Sequence, residues 1–509
     1  MRGFGLTGAV TVLVVAGLAV GCSSDDDAAD EGSATPAPDA REVPEAREEG
    51  PAAVFAGPLE GGEGIMLAVA ADTGAALDEA GYTEAEYSAS GTATSYTSSA
   101  ALPADGAFEL VPGGQADYAT RVVVRRPDDA AAFNGTVVVE WLNVSGGADA
   151  PADYTYLADE LLRRGYAWAG VSAQRIGIEG GPVAVQVPGP AGAGLGQGLR
   201  AQDPERYGDL SHPGDAFSYD IYTQVGRALR SHGDVDPFDG LEVERLLAVG
   251  ESQSAFALTT YVNGVQPLTG EFDGFLVHSR GGAAAPLGEP GVGIDIGGTI
   301  SGQPTTIRAD SEAPVIVVET ETDLLGILGY LPARQPDSDN LRLWEVAGTA
   351  HADRFQVGAM EDTLGCANPI NRGQQAFVLR AALRHLDTWA TDGTPPPEAP
   401  RLEVDEGGAA PSFVLDAVGN VEGGIRPPAV AAPVDVLSGM PVEGSSVICL
   451  LMGSTTPLGA DQLGQLYGSG DEYVAAYESA TDELIDAGFA LADDRDLLLD
   501  EADPARIPG

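Results

Sequence analysis

The sequence contains no lysine. All 26 of its basic residues are arginines, against 77 aspartates and glutamates, and the formal net charge is −51. Nucleic-acid binding requires a basic surface that neutralises phosphates, so this balance excludes nucleic acid as an expected partner. It also argues against electrostatic attraction to anionic lipid. We interpret the acidic residues as a solvated surface rather than as a site for a specific cationic partner.

Motifs for metal and nucleotide binding are also missing. The chain has no H-E-x-x-H motif, no C-x-x-C pair and no Walker-type glycine loop. Because those arrangements supply the usual ligands for zinc and for phosphate groups, neither a metal nor another cofactor is predicted.

The N-terminal residues 1–22 have the features of an export signal. Arg2 provides the positive charge, residues 9–20 are apolar, and Ala19-Val20-Gly21-Cys22 resembles a bacterial lipobox. We therefore predict that Cys22 is lipidated and becomes the N-terminus of a lipid-anchored protein on the extracytoplasmic face of the cell membrane. The alternative is an uncleaved membrane anchor, for which the apolar run is long enough.

Residues 23–56 are mostly Asp, Glu, Ala, Pro and Ser. They cannot bury enough apolar surface to fold, which predicts a disordered acidic spacer before a domain at 57–509. Two further cysteines, Cys366 and Cys449, lie in that domain. An even pair in an exported domain predicts a disulfide, with two buried thiols as the alternative.

Apolar strands alternate with helices through the domain. Such near-continuous apolar strands predict a mostly parallel central sheet with helices on both faces, an α/β fold. Predicted strands cover residues 118–126, 136–143, 166–173, 246–249, 272–278, 315–319 and 341–347, and predicted helices cover 157–164, 217–231, 377–390, 473–487 and 494–500.

Two Gly/Pro-rich stretches, 177–214 and 281–310, interrupt this alternation. Both follow predicted strands, where the site of an α/β protein lies, so we expect them to cover the site as a cap; disorder is the alternative. The tail from about residue 411 is expected to pack on the main domain as a C-terminal extension.

The stretch 245–258 combines a buried strand, a tight turn and a helix around Gly250-Glu251-Ser252-Gln253-Ser254. This is the G-x-S-x-G nucleophile elbow with Ser254 in place of the last glycine. A serine at such a turn projects its hydroxyl from the sheet, and small residues on either side let strand and helix pack closely. Ser252 is therefore the predicted nucleophile, and an ordinary strand–helix turn is the alternative.

A serine nucleophile needs a base that is itself oriented by an acid. Asp323 follows one predicted strand and His351 follows the next, so the chain order is serine, acid, histidine. Glu321 and Glu319 remain open as alternative acids, and solvated loop charges as the simpler explanation. Four other histidines are considered as bases: His212 and His278 as rivals, and His232 and His385 as ordinary helix residues.

The sequence also predicts backbone donors and one arginine at the site. The backbone N–H of Gln253 is expected to form part of an oxyanion hole. The second donor is expected near Leu142 and Asn143, up to Val144. Arg280 could contact a carboxylate or carbonyl of a substrate, or pair with one of the many acidic residues.

The chain resembles the α/β-hydrolase superfamily, and in particular a little-characterised bacterial family of α/β-hydrolase-domain proteins. Four segments carry the resemblance, which extends from about residue 57 to near the C-terminus: 134–143, 211–220, 250–254 and 348–353. It implies an α/β-hydrolase fold and a serine-hydrolase triad on Ser252, Asp323 and His351, but no particular substrate. Ser254 departs from the superfamily pattern.

Together these features predict a membrane-tethered serine hydrolase, with an ester or another small acyl compound as substrate. Carboxylic-ester hydrolysis through an acyl-enzyme is the first hypothesis. An amidase or acyltransferase on the same triad is the second. The third is a non-catalytic binding lipoprotein on a hydrolase scaffold, since a fold does not determine a function.

Overall fold

A computed structural model describes residues 50–68, 74–186, 194–442, 446 and 448–508. The predicted signal peptide, Cys22 and most of the predicted spacer lie outside these residues. In the part of the chain that is described, no helix is both long and apolar enough to cross a membrane.

The centre of the fold is a nine-stranded sheet in the order β1-β2-β3-β5-β4-β6-β7-β8-β9. The strands from β5 to β9 in this order are parallel, and β1, β2 and β3 extend the sheet as antiparallel strands. The strands are β1 Val54–Ala56, β2 Tyr82–Thr97, β3 Val111–Pro127, β4 Thr136–Trp141, β5 Ala167–Val171, β6 Arg245–Glu251, β7 Gly274–His278, β8 Val315–Thr320 and β9 Leu341–Val346.

Two small two-stranded sheets lie in the C-terminal part: β10 Val404–Asp405 with β11 Ser412–Phe413, and β12 Asp435–Ser438 with β13 Ser454–Pro457. The α-helices of the described chain are α1 Gly74–Ala80, α2 Ala152–Arg164, α3 Arg175–Glu179, α4 Leu199–Gln202, α5 Pro204–Tyr207, α6 Ser218–Leu229, α7 Gln253–Thr260, α8 Gln266–Thr269, α9 Ile296–Ile300, α10 Glu321–Leu325, α11 Arg354–Val357, α12 Glu361–Leu364, α13 Gln375–Asp392, α14 Pro428–Ala431, α15 Ala460–Leu466, α16 Gly470–Asp486 and α17 Arg495–Asp500.

Strand β6 shows how both faces of the sheet are covered. All its residues except the half-buried Arg245 are buried, and alternate side chains point to opposite faces. Leu246 and Ala248 belong to the apolar core that includes α6 and α7, whereas Leu247 and Val249 belong to the core that includes α2 and α13. The α/β fold with helices on both faces is thus confirmed.

The C-terminal extension packs on the same domain. Leu484, Phe489 and Leu498 join the core that contains α13, and the Phe489 ring meets the Trp344 ring of β9 edge-on with centroids 5.1 Å apart. The predicted disulfide is present between Cys366 and Cys449. It joins the region after β9 to the extension.

The structure corrects the predicted N-terminal boundary. Residues 54–56, which we assigned to the disordered spacer, form strand β1 and pair with Ser88, Ala89 and Ser90 of β2. The long strand β2 was not predicted. Its sequence is rich in Thr, Ser and Ala, and its strand conformation is supported by pairing with β3 along most of its length.

Candidate active site

The predicted nucleophile lies at a sharp turn between β6 and α7. Ser252 has φ +59° and ψ −118°, a conformation that L-residues rarely adopt and that is found at functional turns. A Cβ atom on Gly250 would lie 3.0 Å from the Cβ of Ser254, so this position accepts only glycine without rearrangement. Ser254 itself is fully buried. The two small residues therefore allow the close strand–helix packing that the sequence predicted.

The structure brings Ser252, His351 and Asp323 together. The Oγ of Ser252 lies 2.8 Å from Nε2 of His351, and Nδ1 of His351 lies 2.7 Å from Oδ1 of Asp323. The three side chains follow the carboxyl ends of β6, β9 and β8, the edge where sites of parallel sheets are found. Such an arrangement can move a proton from the serine hydroxyl to the imidazole while the carboxylate holds the ring.

The Asp323 carboxylate is oriented by its own turn. Its Oδ2 accepts hydrogen bonds from the backbone N–H and the hydroxyl of Thr320, at 2.8 and 2.7 Å. Burial alone would raise the pKa of Asp323, but the His351 ring and the Thr320 donors outweigh it and hold that pKa below its ordinary value. The carboxylate is thus charged at neutral pH, with one oxygen free for His351.

Both alternative acids lie elsewhere. Glu321 accepts hydrogen bonds from the backbone N–H groups of Gly348 and Gly439, at 2.6 and 2.8 Å, and burial raises its pKa to about 7. Glu319 is buried on β8, where burial raises its pKa well above the ordinary value. Of the three candidates, Asp323 is the one that meets His351.

The loop that carries His351 is held from two sides. The side-chain amide of Gln375 on α13 donates to the carbonyl of Ala350 at 3.0 Å. The N–H of Ala352 donates to the carbonyl of Leu451, in the C-terminal extension, at 3.0 Å. The extension therefore helps to position the imidazole.

The four other histidines have other partners. His212 contacts the carbonyl of Ala173, and His385 contacts that of Gly488. His232 is exposed next to Asp236. His278 is buried next to Asp153, with its Nδ1 2.9 Å from a carboxylate oxygen. None of these contacts places a second imidazole on Ser252.

Glu251, the residue before the nucleophile, is a site residue that the sequence analysis did not single out. Its Oε1 lies 3.4 Å from Nε2 of His351, and its Oε2 accepts a hydrogen bond from the Asn143 amide at 3.2 Å. Burial raises the pKa of Glu251 to about 7. The signal in the sequence was a charged residue shortly after the apolar run 246–249.

The charge on His351 depends on both neighbouring carboxylates. Burial by itself lowers the pKa of this imidazole, whereas the Asp323 carboxylate and, to a smaller extent, the Glu251 carboxylate raise it. The two acids outweigh burial, and the pKa of His351 lies above its ordinary value. The site consequently favours the protonated form of the His351 ring.

The predicted oxyanion donors require one correction. The N–H of Gln253 begins helix α7, so it has no carbonyl one turn earlier in the helix. The N–H groups of Leu142 and Asn143 already donate to the carbonyls of Val171 and Ala150. They are not available to a substrate.

Val144, the last residue of the predicted range, is the better second donor. Among the described residues, the one partner of its N–H is the side-chain oxygen of Gln253, at a long 3.4 Å. A substrate oxygen could replace that contact.

Arg280 is also not placed to contact a substrate. It is fully buried, its guanidinium donates to the carbonyls of Gly281, Gly282 and Thr305, and it lies over the ring of Tyr330. Its partners are mainly backbone carbonyls rather than the acidic side chains that we considered.

A cavity of about 380 Å³ adjoins Ser252. Both Gly/Pro-rich stretches contribute to its wall, through residues 182–185 and 294–297 with Ile300, as the predicted cap requires. We call these two groups the cap segments. The remaining wall consists of Ser145, Gln253, Phe256, Ile327, Leu328 and Leu451. In the described ranges, no group of three or more His, Cys, Asp or Glu side chains could hold a metal ion.

Comparisons with known proteins agree with the fold. The model of a family described as alpha/beta hydrolase domain matches residues 55–500. No curated protein matches the sequence.

Several solved structures are similar. An α/β serine hydrolase without a lid from Xanthomonas campestris is 13% identical, with 60% of this chain and 97% of that chain covered and a TM-score of 0.29. A fungal esterase from Rhizomucor miehei is 9% identical, with 60% and 85% covered and a TM-score of 0.32. Est1E from Butyrivibrio proteoclasticus is 8% identical, with 58% and 99% covered and a TM-score of 0.28. These similarities are too low to transfer substrates or residue roles.

Proposed function

The chain belongs to the family of α/β-hydrolase domain proteins, and on this premise we propose that it is a serine hydrolase of carboxylic esters. The observation that supports this most is the continuous contact from Ser252 through His351 to Asp323, at 2.8 and 2.7 Å. We further propose that the enzyme is tethered to the extracytoplasmic face of the membrane by a lipid on Cys22. That part rests on the N-terminal sequence alone.

In the proposed mechanism, Oγ of Ser252 attacks the ester carbonyl carbon while Nε2 of His351 takes the hydroxyl proton. The carbonyl oxygen becomes an oxyanion and accepts hydrogen bonds from the N–H groups of Gln253 and Val144. His351 then gives its proton to the departing alcohol, which leaves an acyl group on Ser252. Water, deprotonated by the same imidazole, attacks the carbonyl carbon of this acyl-enzyme. The bond from that carbon to Oγ breaks, His351 returns the proton to Ser252, and the carboxylic acid is released.

Covalent labelling tests the assignment. A fluorophosphonate probe reacts with an activated serine, so it should label the wild-type protein and fail to label Ser252→Ala. Ser254→Ala is the matched control: Ser254 lies two residues away in the same turn, is fully buried, and should not be required for labelling. Retained labelling of Ser252→Ala would show that the nucleophile is another residue. Absence of labelling in the wild-type protein would favour a non-catalytic binding protein.

A further inference from the structure

We propose that the cavity next to Ser252 binds the acyl group of the substrate, and that this group is a neutral aliphatic chain of medium length. The inference rests on the proposed serine-hydrolase function and adds the substrate class. It is based on the residues that line the cavity, on the hydrogen bonds that hold the cap segments in place, and on the volume of the cavity.

The wall is apolar on most sides. Val183 and Val185 come from the first cap segment, Ile296 and Ile300 from the second, and Phe256 and Leu328 from the sheet domain. Aliphatic and aromatic side chains stabilise a bound alkyl group by removing it from water, at about 0.8 kcal/mol for each methylene group. Ser252 lies at the same cavity, so an alkyl chain bound there would have its carbonyl close to the nucleophile.

Backbone N–H groups of both cap segments donate hydrogen bonds to residues outside those segments. The N–H groups of Ala184 and Val185 both donate to the carbonyl of Ser145, at 3.0 and 2.9 Å. In the second segment, the N–H of Ile294 donates to the carboxylate of Asp215 at 2.7 Å. The apolar wall is therefore formed before a substrate arrives, which reduces the entropy lost on binding.

The charge of the wall disfavours anionic substrates. Among the described residues that line the cavity, Asp295 is the only one with a charged side chain, and it is negative. No arginine lines it, and Arg280, the basic residue that we had considered for this role, is buried elsewhere. A carboxylate on the acyl chain would lose its hydration without gaining a cationic partner.

The cavity suits the acyl group better than the alcohol. The acyl group remains attached to Ser252 through both half-reactions, whereas the alcohol leaves after the first. A volume of about 380 Å³ holds roughly a dozen non-hydrogen atoms if each occupies about 30 Å³, the volume of a water molecule in the liquid. This corresponds to acyl chains of about eight carbons together with the ester group.

A series of p-nitrophenyl esters with acetate, butyrate, octanoate and palmitate chains tests the inference on the full-length protein. We expect kcat/KM to rise about tenfold from acetate to butyrate, because each buried methylene group contributes a factor of about three to four. The rise should continue toward octanoate and reverse at palmitate. An octanoate analogue that ends in a carboxylate should react at least 100-fold more slowly than octanoate.

Two variants connect the chain-length preference to the cap. Ile296→Trp fills part of the cavity and should lower the octanoate-to-acetate ratio of kcat/KM at least tenfold. Val292→Trp is the matched control, because Val292 lies four residues earlier in the same stretch, is exposed, and does not line the cavity. It should leave the ratio unchanged.

The outcomes separate this inference from the proposed function. If the fluorophosphonate probe labels Ser252 and acetate is hydrolysed, but kcat/KM does not depend on acyl length or the carboxylate analogue is preferred, the acyl-site inference is wrong and the hydrolase assignment stands. A preference that follows alcohol length in a series of alkyl acetates would also overturn it. If neither labelling nor hydrolysis occurs, the hydrolase assignment itself fails.

Discussion

Replacing Asp323 by asparagine tests how the acid controls the imidazole. In the wild type, Oδ2 of Asp323 accepts from the Thr320 N–H and hydroxyl, and Oδ1 accepts from Nδ1 of His351. An asparagine would keep its side-chain oxygen on the Thr320 side, because the backbone N–H of Thr320 has a fixed direction and needs an acceptor there. Its NH2 group would then point at the N–H at Nδ1 of His351, so that two hydrogen-bond donors would face each other.

The imidazole can avoid this clash by moving its proton from Nδ1 to Nε2. In that tautomer Nε2 is a donor and cannot take the proton of Ser252. When the histidine of a triad is held in the wrong tautomer, kcat falls about 10⁴-fold. At 1.36 kcal/mol per factor of ten, this equals a loss of about 5.4 kcal/mol of transition-state stabilisation. We therefore expect D323N to lower kcat by about 10⁴-fold with little change in KM, measured by steady-state hydrolysis of a short p-nitrophenyl ester.

Glu321→Gln provides the control for this experiment. Glu321 lies two residues away and is equally buried, but it accepts from backbone N–H groups instead of the imidazole. Its amide should destabilise the fold by about 1–3 kcal/mol, because one buried donor loses its partner, and should lower kcat less than tenfold. If kcat of D323N lies within tenfold of the wild-type value, the tautomer argument is refuted. If E321Q loses more kcat than D323N does, Glu321 is the acid.

Three further predictions concern pH, stability and anchoring. His351 must be neutral to accept a proton, and the negative charge of Glu251 raises the pKa of His351. Glu251→Gln should therefore lower that pKa and move the acidic limb of the kcat/KM profile to lower pH. A shift to higher pH would contradict this assignment. Loss of the Cys366–Cys449 bridge, which spans 83 residues, should lower the free energy of unfolding by about 4.5 kcal/mol in urea titration of the double serine variant; a change below about 1 kcal/mol would count against it. Cys22→Ser should abolish incorporation of labelled palmitate in cells, and persistent incorporation would exclude lipidation at this cysteine.

The sequence was sufficient to predict the parallel half of the sheet and the residues that meet at its edge. Strands such as β6 are buried on both faces, so they appear as continuous apolar runs that are easy to recognise. The order of serine, acid and histidine after three such strands then determined which residues could meet. Asp323, Glu321 and Glu319 could not be separated, because the choice depends on the Thr320 hydrogen bonds of a single turn.

Contacts between residues distant in the sequence explain why some helix and strand boundaries were predicted wrongly. Helix α2 begins at Ala152, five residues before the prediction, because the carboxylate of Glu140 accepts the N–H groups of Asp153 and Tyr154 from a neighbouring strand. The sequence pattern of the helix itself gives no sign of such a partner on another element. Strand β1 falls in a segment whose composition indicates disorder, and its conformation is supported by pairing with β2.

The predicted oxyanion donors also depend on contacts between residues that are distant in the sequence. Leu142 and Asn143 were reasonable donors from their position after β4, but Val171 and Ala150 take their N–H groups. Which amide remains available is decided by pairing with distant residues, and one position along the chain changes the answer.

The contacts that the C-terminal extension makes with the two loops of the site have a consequence for the order of events during synthesis. The Gly439 N–H reaches Glu321 next to the acid, and the Leu451 carbonyl holds the loop of the imidazole. The ribosome makes the serine, the acid, the histidine and all nine strands before either of these residues. A chain interrupted near residue 411 would thus contain every reacting group and the complete sheet, yet its loops would lack both supports. We expect that hydrolytic competence arises only after residue 451 has been made, so that chains interrupted before that point are inert.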